Sequence, residues 1–259
     1  MVTTRFTDIR RFDTLDSTNR YLLDEARLGA PEGVVAVADH QHAGRGRLGR
    51  SWEAPAGANL LVSVLLRPEL DPELRHLASA VVALAASDAI GGCTGRVPGI
   101  KWPNDLLGGD GRKLAGVLAE ADLGSRPDQG PPPIVVGIGI NVGWPASEAD
   151  LPPELARSAT SIRMETGQDV DRGQLLDGLL TALEPRVADL GSSDGRSGQA
   201  AAFRDRCVTL GQRVRVTLAD RAFEGTAVDV SPEGHLVVDG DGGRRTVVAG
   251  DVVHLRPAG

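Results

Sequence analysis

The sequence predicts an α+β protein in two parts: a larger domain over residues 1–208, with helices flanking a mixed β-sheet, and a small all-β domain over residues 209–259. The first part alternates helical periodicity with short apolar runs, whereas the second holds only strand-like runs separated by glycine-bearing turns. The length of 259 residues agrees, because it is long for one small module and short for two large domains.

The first elements are a short helix and two buried strands. Residues 16–19 have the composition of a helix N-cap, apolar positions at helical spacing follow, and Gly29 ends the helix. Residues 34–38 and 59–66 are short runs rich in Val and Leu, which predicts two buried strands. The longest helix is predicted over residues 71–90, with Asp71 as its cap and Pro72 in its first turn.

The rest of the chain alternates between β and helical patterns. Residues 100–107 and 112–121 flank a glycine-rich turn, which predicts a hairpin. The next predicted elements are a Pro/Gly-rich connector at 125–133, a strand at 134–142, a helix at 171–190, a surface loop at 190–199 and a helix at 199–206. Five short strands are predicted after Thr209. A module of this size can form no more than a partly open barrel.

Composition excludes several classes of protein. A net charge of -7 and a pI of about 5.3 argue against a surface that tracks nucleic acid. Cys93 and Cys207 are far apart and have no metal-ligand spacing, so neither a disulfide framework nor a zinc site is predicted. The sequence shows no signal peptide and no apolar run long enough for a membrane span, and we therefore expect a cytoplasmic protein.

Residues 44–50 contain three glycines, three arginines and no acid. Glycine lets backbone N–H groups turn toward a ligand, and arginine offers forked donors to carboxylate and phosphate oxygens. The segment predicts an anion-binding loop, with a disordered Arg/Gly linker or an RNA-contacting tract as the alternative on composition alone. A Walker A loop is excluded, because no Gly-Lys-Ser/Thr follows at the required spacing.

Two further segments carry candidate site residues. Pro103 restricts Trp102 to an extended conformation, so Asn104 and Asp105 are expected to turn at a strand end where polar groups can face a pocket. The alternative is an ordinary polar turn over a buried tryptophan. Lys113 lies in an otherwise apolar strand, and it either reaches solvent or serves a buried anion.

The glycines of residues 137–143 superficially resemble a dinucleotide-binding fingerprint. That interpretation fails, because the third glycine falls one place late and Trp144-Pro145 follows where a helix would begin. Gly137 and Gly139 instead predict the close approach of a ligand or another backbone to a strand.

Taken in order, these motifs resemble the biotin protein ligases. The motifs are Ser17-Thr18-Asn19, Gln41 with residues 44–49, Trp52, residues 101–105, residues 112–116 and residues 137–141. The resemblance covers nearly the whole chain. It implies a class II aminoacyl-tRNA synthetase-like catalytic domain and an SH3-like C-terminal barrel. It also implies activation of biotin by ATP to biotinyl-5'-AMP and transfer of biotin to a lysine of a biotin carboxyl carrier domain.

The resemblance further implies roles for individual residues at the biotin end of the site. The biotin ureido group would be bound by Ser17, Thr18, Asn19 and Gln41, because an amide side chain both donates and accepts hydrogen bonds. The biotin carboxylate and the adenylate phosphate would be covered by Arg45, Gly46 and Arg47. Trp52 would pack against either the valeryl chain or the loop.

At the nucleotide end, the implied catalytic residues are Lys113 and Arg47. Lys113 would stabilise negative charge at the α-phosphate and would also contact biotin, which is electrostatic rather than nucleophilic catalysis. No nucleophile motif surrounds any of the five histidines, and this reaction needs none. The nucleotide would be bordered by Arg45, Asn104, Asp105, Gly137, Gly139 and Asn141, with Asp105 helping to place it or its Mg²⁺.

The implied small molecules are biotin, ATP and Mg²⁺, and the implied partner is the carrier domain of acetyl-CoA or a related acyl-CoA carboxylase. Only sixteen residues precede Ser17, whereas a winged helix-turn-helix needs about sixty, so the enzyme-only form without DNA binding is expected. We also expect a monomer or weak homodimer that contacts no membrane. The alternatives are a lipoate protein ligase and, from another class, a non-catalytic nucleic-acid-binding protein.

Overall fold

The computed structural model describes residues 4–122, 131–153, 155–218, 221–248 and 250–255. Seven strands form one mixed sheet, and five strands form a second, antiparallel sheet. The elements before the second sheet are β1 (Ile9–Leu15), α1 (Thr18–Arg27), β2 (Val35–Gln41), β3 (Leu60–Leu66), α2 (Leu77–Thr94), β4 (Gly99–Lys101), β5 (Asp105–Leu107), β6 (Lys113–Ala121), β7 (Ile134–Ile140), α3 (Ile162–Thr166), α4 (Arg172–Asp189) and α5 (Ser193–Asp205).

The first sheet has the strand order β1-β2-β3-β7-β6-β5-β4. Strands β1 and β2 are parallel, and every other recorded pairing in this sheet is antiparallel. The predicted mixed sheet and α+β class are thus confirmed. Strand β1 was absent from the sequence prediction, because its IRRFDTL segment lacks both a continuous apolar run and strict alternation.

The two faces of this sheet are covered by different helices. Alanine-rich α2 packs against one face and is covered in turn by α4 and α5, so Val62, Val136 and Ile138 lie in the main core. On the other face, α1 packs over Leu65 and Val135 in a smaller cluster. Helix α1 covers only one end of its face, which leaves the other end open for a pocket.

Helix α2 with the turn before it is long and apolar enough, by composition, to cross a membrane. The helix is largely buried between the sheet and the other helices, and buried core helices of this kind pass the same test. Its beginning differs from the prediction: Pro72–Leu74 is a 3-10 turn, the Asp71 side chain makes no cap hydrogen bond, and α2 begins at Leu77.

The surface loop predicted over residues 190–199 is wrong. Helix α5 begins at Ser193, because the Ser192 side chain accepts a hydrogen bond from Gly195 N and caps the first turn. Glycine and serine content suggested a loop, yet the cap and tertiary contacts with α2 and α4 override that propensity. The predicted connector at 125–133 falls mostly on residues outside the described ranges.

The second sheet comprises β8 (Arg213–Thr217), β9 (Ala222–Val230), β10 (Leu236–Gly240), β11 (Gly243–Val247) and β12 (Asp251–His254), in the order β11-β10-β9-β8-β12. This confirms the small all-β part. It is anchored to the first domain by Trp102, whose Nε1 donates to Gly234 O at 3.2 Å and whose backbone N donates to Thr209 Oγ1 at 3.0 Å. The predicted domain boundary at residue 208 stays a prediction.

Candidate active site

Strand register places the candidate residues on one face of the seven-stranded sheet. Residues directly opposite each other in an antiparallel pair share a face, as do residues two apart in one strand. The successive partners are Ser63 and Gly137, Gly139 and Gly116, Gly116 and Asp105, and Asp105 and Lys101. This row runs from β3 through β7, β6 and β5 to β4, on the face that α1 leaves partly open.

One end of the row is a neutral hydrogen-bonded cluster at the N-terminus of α1. Ser17 is the N-cap of α1, and Thr18 N and Oγ1 donate to Gln41 Oε1 at 2.8 and 3.1 Å. The oxygen of Gln41 is therefore committed to Thr18, which leaves its amide hydrogens for a ligand. Ser63 Oγ lies 2.6 Å from both Thr18 Oγ1 and Asn19 Oδ1, so the cluster is fixed before any ligand binds.

Gly137 is required by this cluster. A Cβ atom at Gly137 would overlap the Asn19 side chain, which crosses directly over the strand. Asn19 Nδ2 donates to Leu118 O at 3.1 Å and to Glu120 Oε2 at 2.8 Å. The predicted close approach to a glycine strand is therefore made here by the protein's own side chain.

The middle of the row is covered by the Trp52 indole. A Cβ at Gly139 would overlap the indole, and one at Gly116 would lie 3.1 Å from it, so both glycines are needed for the ring to lie flat on the sheet. Trp52 Nε1 is buried and has no hydrogen-bond partner among the described residues. It leaves a donor available at the base of the pocket.

The far end of the row is charged. Lys113 Nζ lies 2.7 Å from Asp105 Oδ1 and 5.3 Å from the centroid of the Trp52 ring. The Lys113 side chain also passes over Gly116, where a Cβ would come within 2.9 Å of Nζ. Lys113 thus neither extends into solvent nor lies in the core, and its ammonium faces the same pocket as the neutral cluster.

The glycine-arginine segment forms a closed hairpin above this end. Gly46 N donates to Arg50 O at 2.6 Å, Trp52 N donates to Gly44 O at 2.9 Å, and Leu48 at the tip has a positive φ of 57°. Arg47 donates to Asn104 Oδ1 at 3.1 Å and to Gly250 O at 3.2 Å, which ties the hairpin to the second domain. Burial lowers the pKa of Arg47.

Hairpin and sheet together enclose a small cavity. Its volume is about 50 Å³, enough for only a few water molecules. Its walls include Ser17, Thr18, Asn19, Gln41, Arg45, Gly46, Arg47, Trp52, Asn104, Lys113, Gly137 and Gly139. Twelve of the fourteen candidate residues therefore meet in one place.

The remaining two candidates do not line this cavity. Asp105 stands behind Lys113 as its ion-pair partner. Asn141 is buried at the end of β7, where Nδ2 donates to Thr160 O at 2.9 Å and Oδ1 accepts from Asn59 Nδ2 at 3.1 Å. Its side chain holds neighbouring loops together, and its predicted contact with a nucleotide stays a prediction.

Two polar residues that bond to the site residues were missed from the sequence. Ser63 is the one polar residue in the apolar run LLVSVLL, a signal that could have marked it as a pocket residue. Glu120 receives Arg45 Nη2 at 2.9 Å as well as Asn19 Nδ2, and it has no comparable signal because it lies near the end of a half-buried strand. In this arrangement Arg45 is neutralised by a carboxylate rather than free for a ligand.

Comparison with known proteins identifies the family. Residues 12–141 match the Biotin/lipoate A/B protein ligase family, and residues 209–255 match the Biotin protein ligase C terminal domain. A Mycobacterium tuberculosis protein named Biotin--[acetyl-CoA-carboxylase] ligase is 39% identical over 247 residues, which cover 93% of this chain and 86% of that protein. The chain belongs to the biotin protein ligase family.

Further relatives agree with this assignment. A Paracoccus denitrificans protein with the same name is 34% identical over 239 residues, covering 92% of this chain and 96% of that protein. A solved structure, Biotin protein ligase from Aquifex aeolicus in complex with biotin and ATP, superposes with a TM-score of 0.80 at 27% identity and covers 97% of this chain and 100% of that one. The predicted family and fold are thus confirmed.

The pocket combines three kinds of surface. A neutral donor and acceptor cluster lies at one end, an apolar indole in the middle, and Lys113 with Arg47 at the other end. Such an arrangement can bind a molecule with a neutral polar head, an apolar chain and an anionic tail. It supplies fixed positive charge where a phosphate would meet that tail.

Proposed function

We propose that this pocket joins biotin to AMP and then releases the biotinyl group to a carrier lysine. A biotin carboxylate oxygen attacks the α-phosphorus of ATP, the bond from that phosphorus to the bridging oxygen breaks, and pyrophosphate leaves with the electron pair. The lysine amine then attacks the biotinyl carbonyl carbon, an amide bond forms, and AMP leaves. The observation that carries this proposal is the single row from Ser63 to Asp105 on one sheet face, with the Lys113 ammonium beside Asp105 at its charged end.

The neutral end fits the ureido head of biotin. Gln41 donates its amide hydrogens to the ureido oxygen. The hydroxyls of Ser17 and Thr18 line the same pocket, where they accept hydrogen bonds from the ureido N–H groups. Uncharged, buried and mutually bonded groups suit a ligand head that carries no charge. The Trp52 indole provides an apolar contact for the valeryl chain.

The charged end fits the carboxylate and the α-phosphate. When the phosphate binds, Lys113 gives up its ion pair with Asp105 or shares it with the phosphate. Its ammonium then neutralises the negative charge that builds at phosphorus in the transition state. Arg47 covers the mixed anhydride from the hairpin side, where its guanidinium can bond phosphate and carboxylate oxygens together. The protein's contribution is position and charge, with no covalent intermediate on a side chain.

Magnesium would arrive with the ATP phosphates. Among the described residues no group of three or more His, Cys, Asp or Glu side chains forms a metal cage, whereas Asp105 offers one carboxylate beside the phosphate position. That donor set fits Mg²⁺, which proteins usually bind through one or two carboxylates together with substrate phosphates. The ion would supply charge neutralisation on the triphosphate.

The proposed partner is a biotin carboxyl carrier domain of acetyl-CoA carboxylase or a related carboxylase. The names of two relatives support it, because they give acetyl-CoA carboxylase as the acceptor. The acidic net charge of -7 supports an enzyme that acts without binding DNA. We place it in the cytoplasm, where ATP and carboxylases are found, as a monomer or weak homodimer.

The test is transfer to a defined carrier. The protein is incubated with ATP, a candidate carrier domain and either biotin or lipoate, and the carrier is analysed by mass spectrometry. The proposal predicts one added biotinyl group on one lysine, and no lipoyl adduct. Lipoyl transfer at an equal or greater rate would make the chain a lipoate ligase, and an unmodified carrier with every tested acid would refute acyl transfer.

A further inference from the structure

A buried serine lies behind the neutral end of the pocket, and the proposed function gives it no role. Ser63 on β3 is fully buried. In front of it, Thr18, Asn19 and Gln41 line the cavity. Ser63 Oγ lies 2.6 Å from Thr18 Oγ1 and 2.6 Å from Asn19 Oδ1. A hydroxyl has one proton, so Ser63 donates to one of these two oxygens and accepts from the other.

The orientation of the Asn19 amide decides where the Ser63 proton goes. Asn19 Nδ2 lies 3.1 Å from Leu118 O and 2.8 Å from Glu120 Oε2, a carboxylate oxygen that also accepts from Arg45 Nη2 at 2.9 Å. Carbonyl and carboxylate oxygens only accept, so the amide nitrogen of Asn19 faces β6 and its oxygen faces Ser63. Because the Asn19 oxygen carries no proton, Ser63 donates to it.

The same direction continues from Ser63 to Thr18. With its proton on Asn19, Ser63 accepts from the Thr18 hydroxyl at 2.6 Å. This distance is shorter than the 3.1 Å from Thr18 Oγ1 to Gln41 Oε1, so the Thr18 proton points mainly at Ser63 and secondarily at Gln41. Both acceptors belong to the protein. The Thr18 oxygen therefore offers its lone pairs, and not its proton, to a molecule in the pocket.

The Gln41 amide is fixed in the opposite sense. Gln41 Oε1 accepts from Thr18 N at 2.8 Å, and a backbone N–H can only donate, so the amide nitrogen of Gln41 faces the pocket. The wall thus presents a donor at Gln41 beside an acceptor at Thr18. A cyclic urea has the complementary arrangement, an accepting carbonyl flanked by donating N–H groups. A molecule of the same shape with an acceptor opposite Thr18 would set lone pairs against lone pairs.

We propose that Ser63 is a positioning residue that sets specificity: it holds the Thr18 hydroxyl as a hydrogen-bond acceptor, so that the pocket selects a head group with an N–H donor there. The inference rests on the proposed function and deepens it. Thr18 and Asn19 are almost fully buried, so water does not readily replace a missing hydrogen bond at this wall. Ser63 acts through Thr18 and need not touch the bound molecule.

Two cyclic carbamates test this wall in the parent protein. In each, an oxygen atom replaces one ureido N–H of biotin, which keeps the ring shape and turns a donor into an acceptor. Calorimetry should show that at least one of the two binds about tenfold or more weakly than biotin, the loss expected when a buried acceptor has no donor. If both carbamates bind more tightly than that limit, Thr18 is not held as an acceptor and the inference fails.

Ser63→Ala should relax this selection. Without Ser63 Oγ the Thr18 hydroxyl can turn its proton toward the carbamate oxygen. For the weaker-binding carbamate, the ratio of its dissociation constant to that of biotin should then fall about fivefold or more. A loss of packing alone would weaken both molecules and leave the ratio unchanged, and a ratio that falls by less would overturn the inference.

Ser87→Ala is the matched control for Ser63→Ala. Ser87 is also a fully buried serine, and its hydroxyl donates to Pro98 O at 2.8 Å from helix α2, behind the opposite face of the sheet. The ratio should stay within about twofold of the parent. Ser63→Cys keeps the space filled with a group that donates and accepts only weakly, so it should lower the ratio about threefold or more and serves as the test if Ser63→Ala does not fold.

A double variant shows whether Ser63 acts through Thr18. Thr18→Val keeps the shape of the side chain and removes the hydroxyl, so the ratio should fall in this variant too. Adding Ser63→Ala to Thr18→Val should then change the ratio by no more than about twofold, because the group that Ser63 positions is already gone. A larger further change would mean that Ser63 affects binding by another route, which contradicts the inference.

These outcomes are separate from those of the proposed function. A parent protein that transfers biotin to a carrier but fails the carbamate or Ser63 measurements loses the inference alone. A parent protein that attaches no biotin to any carrier loses the proposed function, and the inference with it.

Discussion

The two ends of the pocket are built on opposite principles. At the neutral end, Thr18 and Asn19 are almost fully buried and are bonded to Gln41 and Ser63 before any ligand arrives. At the charged end, Lys113 has a side chain 32% exposed, and its partners sit on short strands and a hairpin. One end is fixed by packing, and the other is held by ion pairs that a ligand can replace.

This difference indicates that the two ends of the pocket have separate roles, one in biotin binding and the other in catalysis. A preorganised neutral cluster loses little on binding and can select the shape of biotin. A set of exchangeable charges binds weakly at rest but becomes effective when charge develops at phosphorus. We therefore expect changes at the neutral end to alter the biotin requirement, and changes at the charged end to alter the rate.

The largest expected effect is at Lys113. Lys113→Ala removes the ammonium nearest the α-phosphate, and biotin-dependent ATP–pyrophosphate exchange should fall by about a hundredfold, as when one oxyanion donor is lost. The protein should remain folded, because Asp105 keeps Lys101 as its cross-strand neighbour.

Arg112→Ala is the control for Lys113→Ala. This neighbouring guanidinium pairs with Asp110 and Glu148 outside the pocket, so exchange should be unaffected. Exchange above about a tenth of the parent rate in Lys113→Ala would contradict an electrostatic role for this lysine.

Arg47 tests whether the hairpin retains the adenylate. Removing its bonds to Asn104 and Gly250 should let the hairpin open, so Arg47→Gly should release biotinyl-5'-AMP. A bystander protein incubated with this variant, ATP and biotin should acquire biotin on several lysines. If the variant still activates biotin but attaches no more biotin to the bystander than the parent enzyme does, Arg47 does not hold the hairpin closed over the adenylate.

Gly137 tests the packing of the neutral end. A Cβ there overlaps Asn19, so Gly137→Ala should lower the free energy of unfolding by about 1–3 kcal/mol, the usual cost of overpacking, and should raise the biotin requirement. Denaturant unfolding with calorimetry measures both effects.

Gly178→Ala is the matched control for Gly137→Ala. Its Cβ would meet only ordinary contacts, 3.5 Å from Ala89, within helix α4. It should be neutral or more stable by up to about 1 kcal/mol, because alanine is the better helix former. Equal destabilisation by both substitutions would remove the argument for close packing at Gly137.

The smallest expected effect is at Gln41. Gln41→Ala removes one neutral donor from the ureido position and should raise the half-saturating biotin concentration about tenfold, with the rate at saturation within twofold. Gln168→Ala changes an exposed glutamine that does not line the pocket, and it should alter neither quantity. If Gln41→Ala lowers the rate at saturating biotin but leaves the half-saturating concentration unchanged, Gln41 does not bind the ureido group at the neutral end of the pocket.

The sequence predicted which residues meet at this site better than it predicted how they are arranged there. Short motifs identified twelve residues that line one cavity, because glycine, arginine and lysine are informative residue types at those spacings. Motifs carry no register, so they could not show that Asp105 stands between Lys101 and Lys113. They also could not show that Trp52 and Asn19, rather than a ligand, occupy the space above the strand glycines.

Local propensity misled the prediction where tertiary contacts decide. The glycine and serine residues after Leu190 form part of α5, since the Ser192 cap and packing on α2 stabilise a helix that composition disfavours. The order of the hairpin over residues 44–52 was equally hidden, because its bonds join it to Gly250 and Asp251, some 200 residues away in sequence.

The central claim is that the two ends act separately, and a double-mutant cycle on Gln41 and Lys113 tests it most directly. Exchange rate and half-saturating biotin are measured for the parent, Gln41→Ala, Lys113→Ala and the double variant. The account predicts that Gln41→Ala changes chiefly the biotin requirement, Lys113→Ala chiefly the rate, and that their free-energy effects on kcat/KM add to within about 0.5 kcal/mol. A coupling above about 1 kcal/mol, or both variants lowering the same parameter, would contradict it.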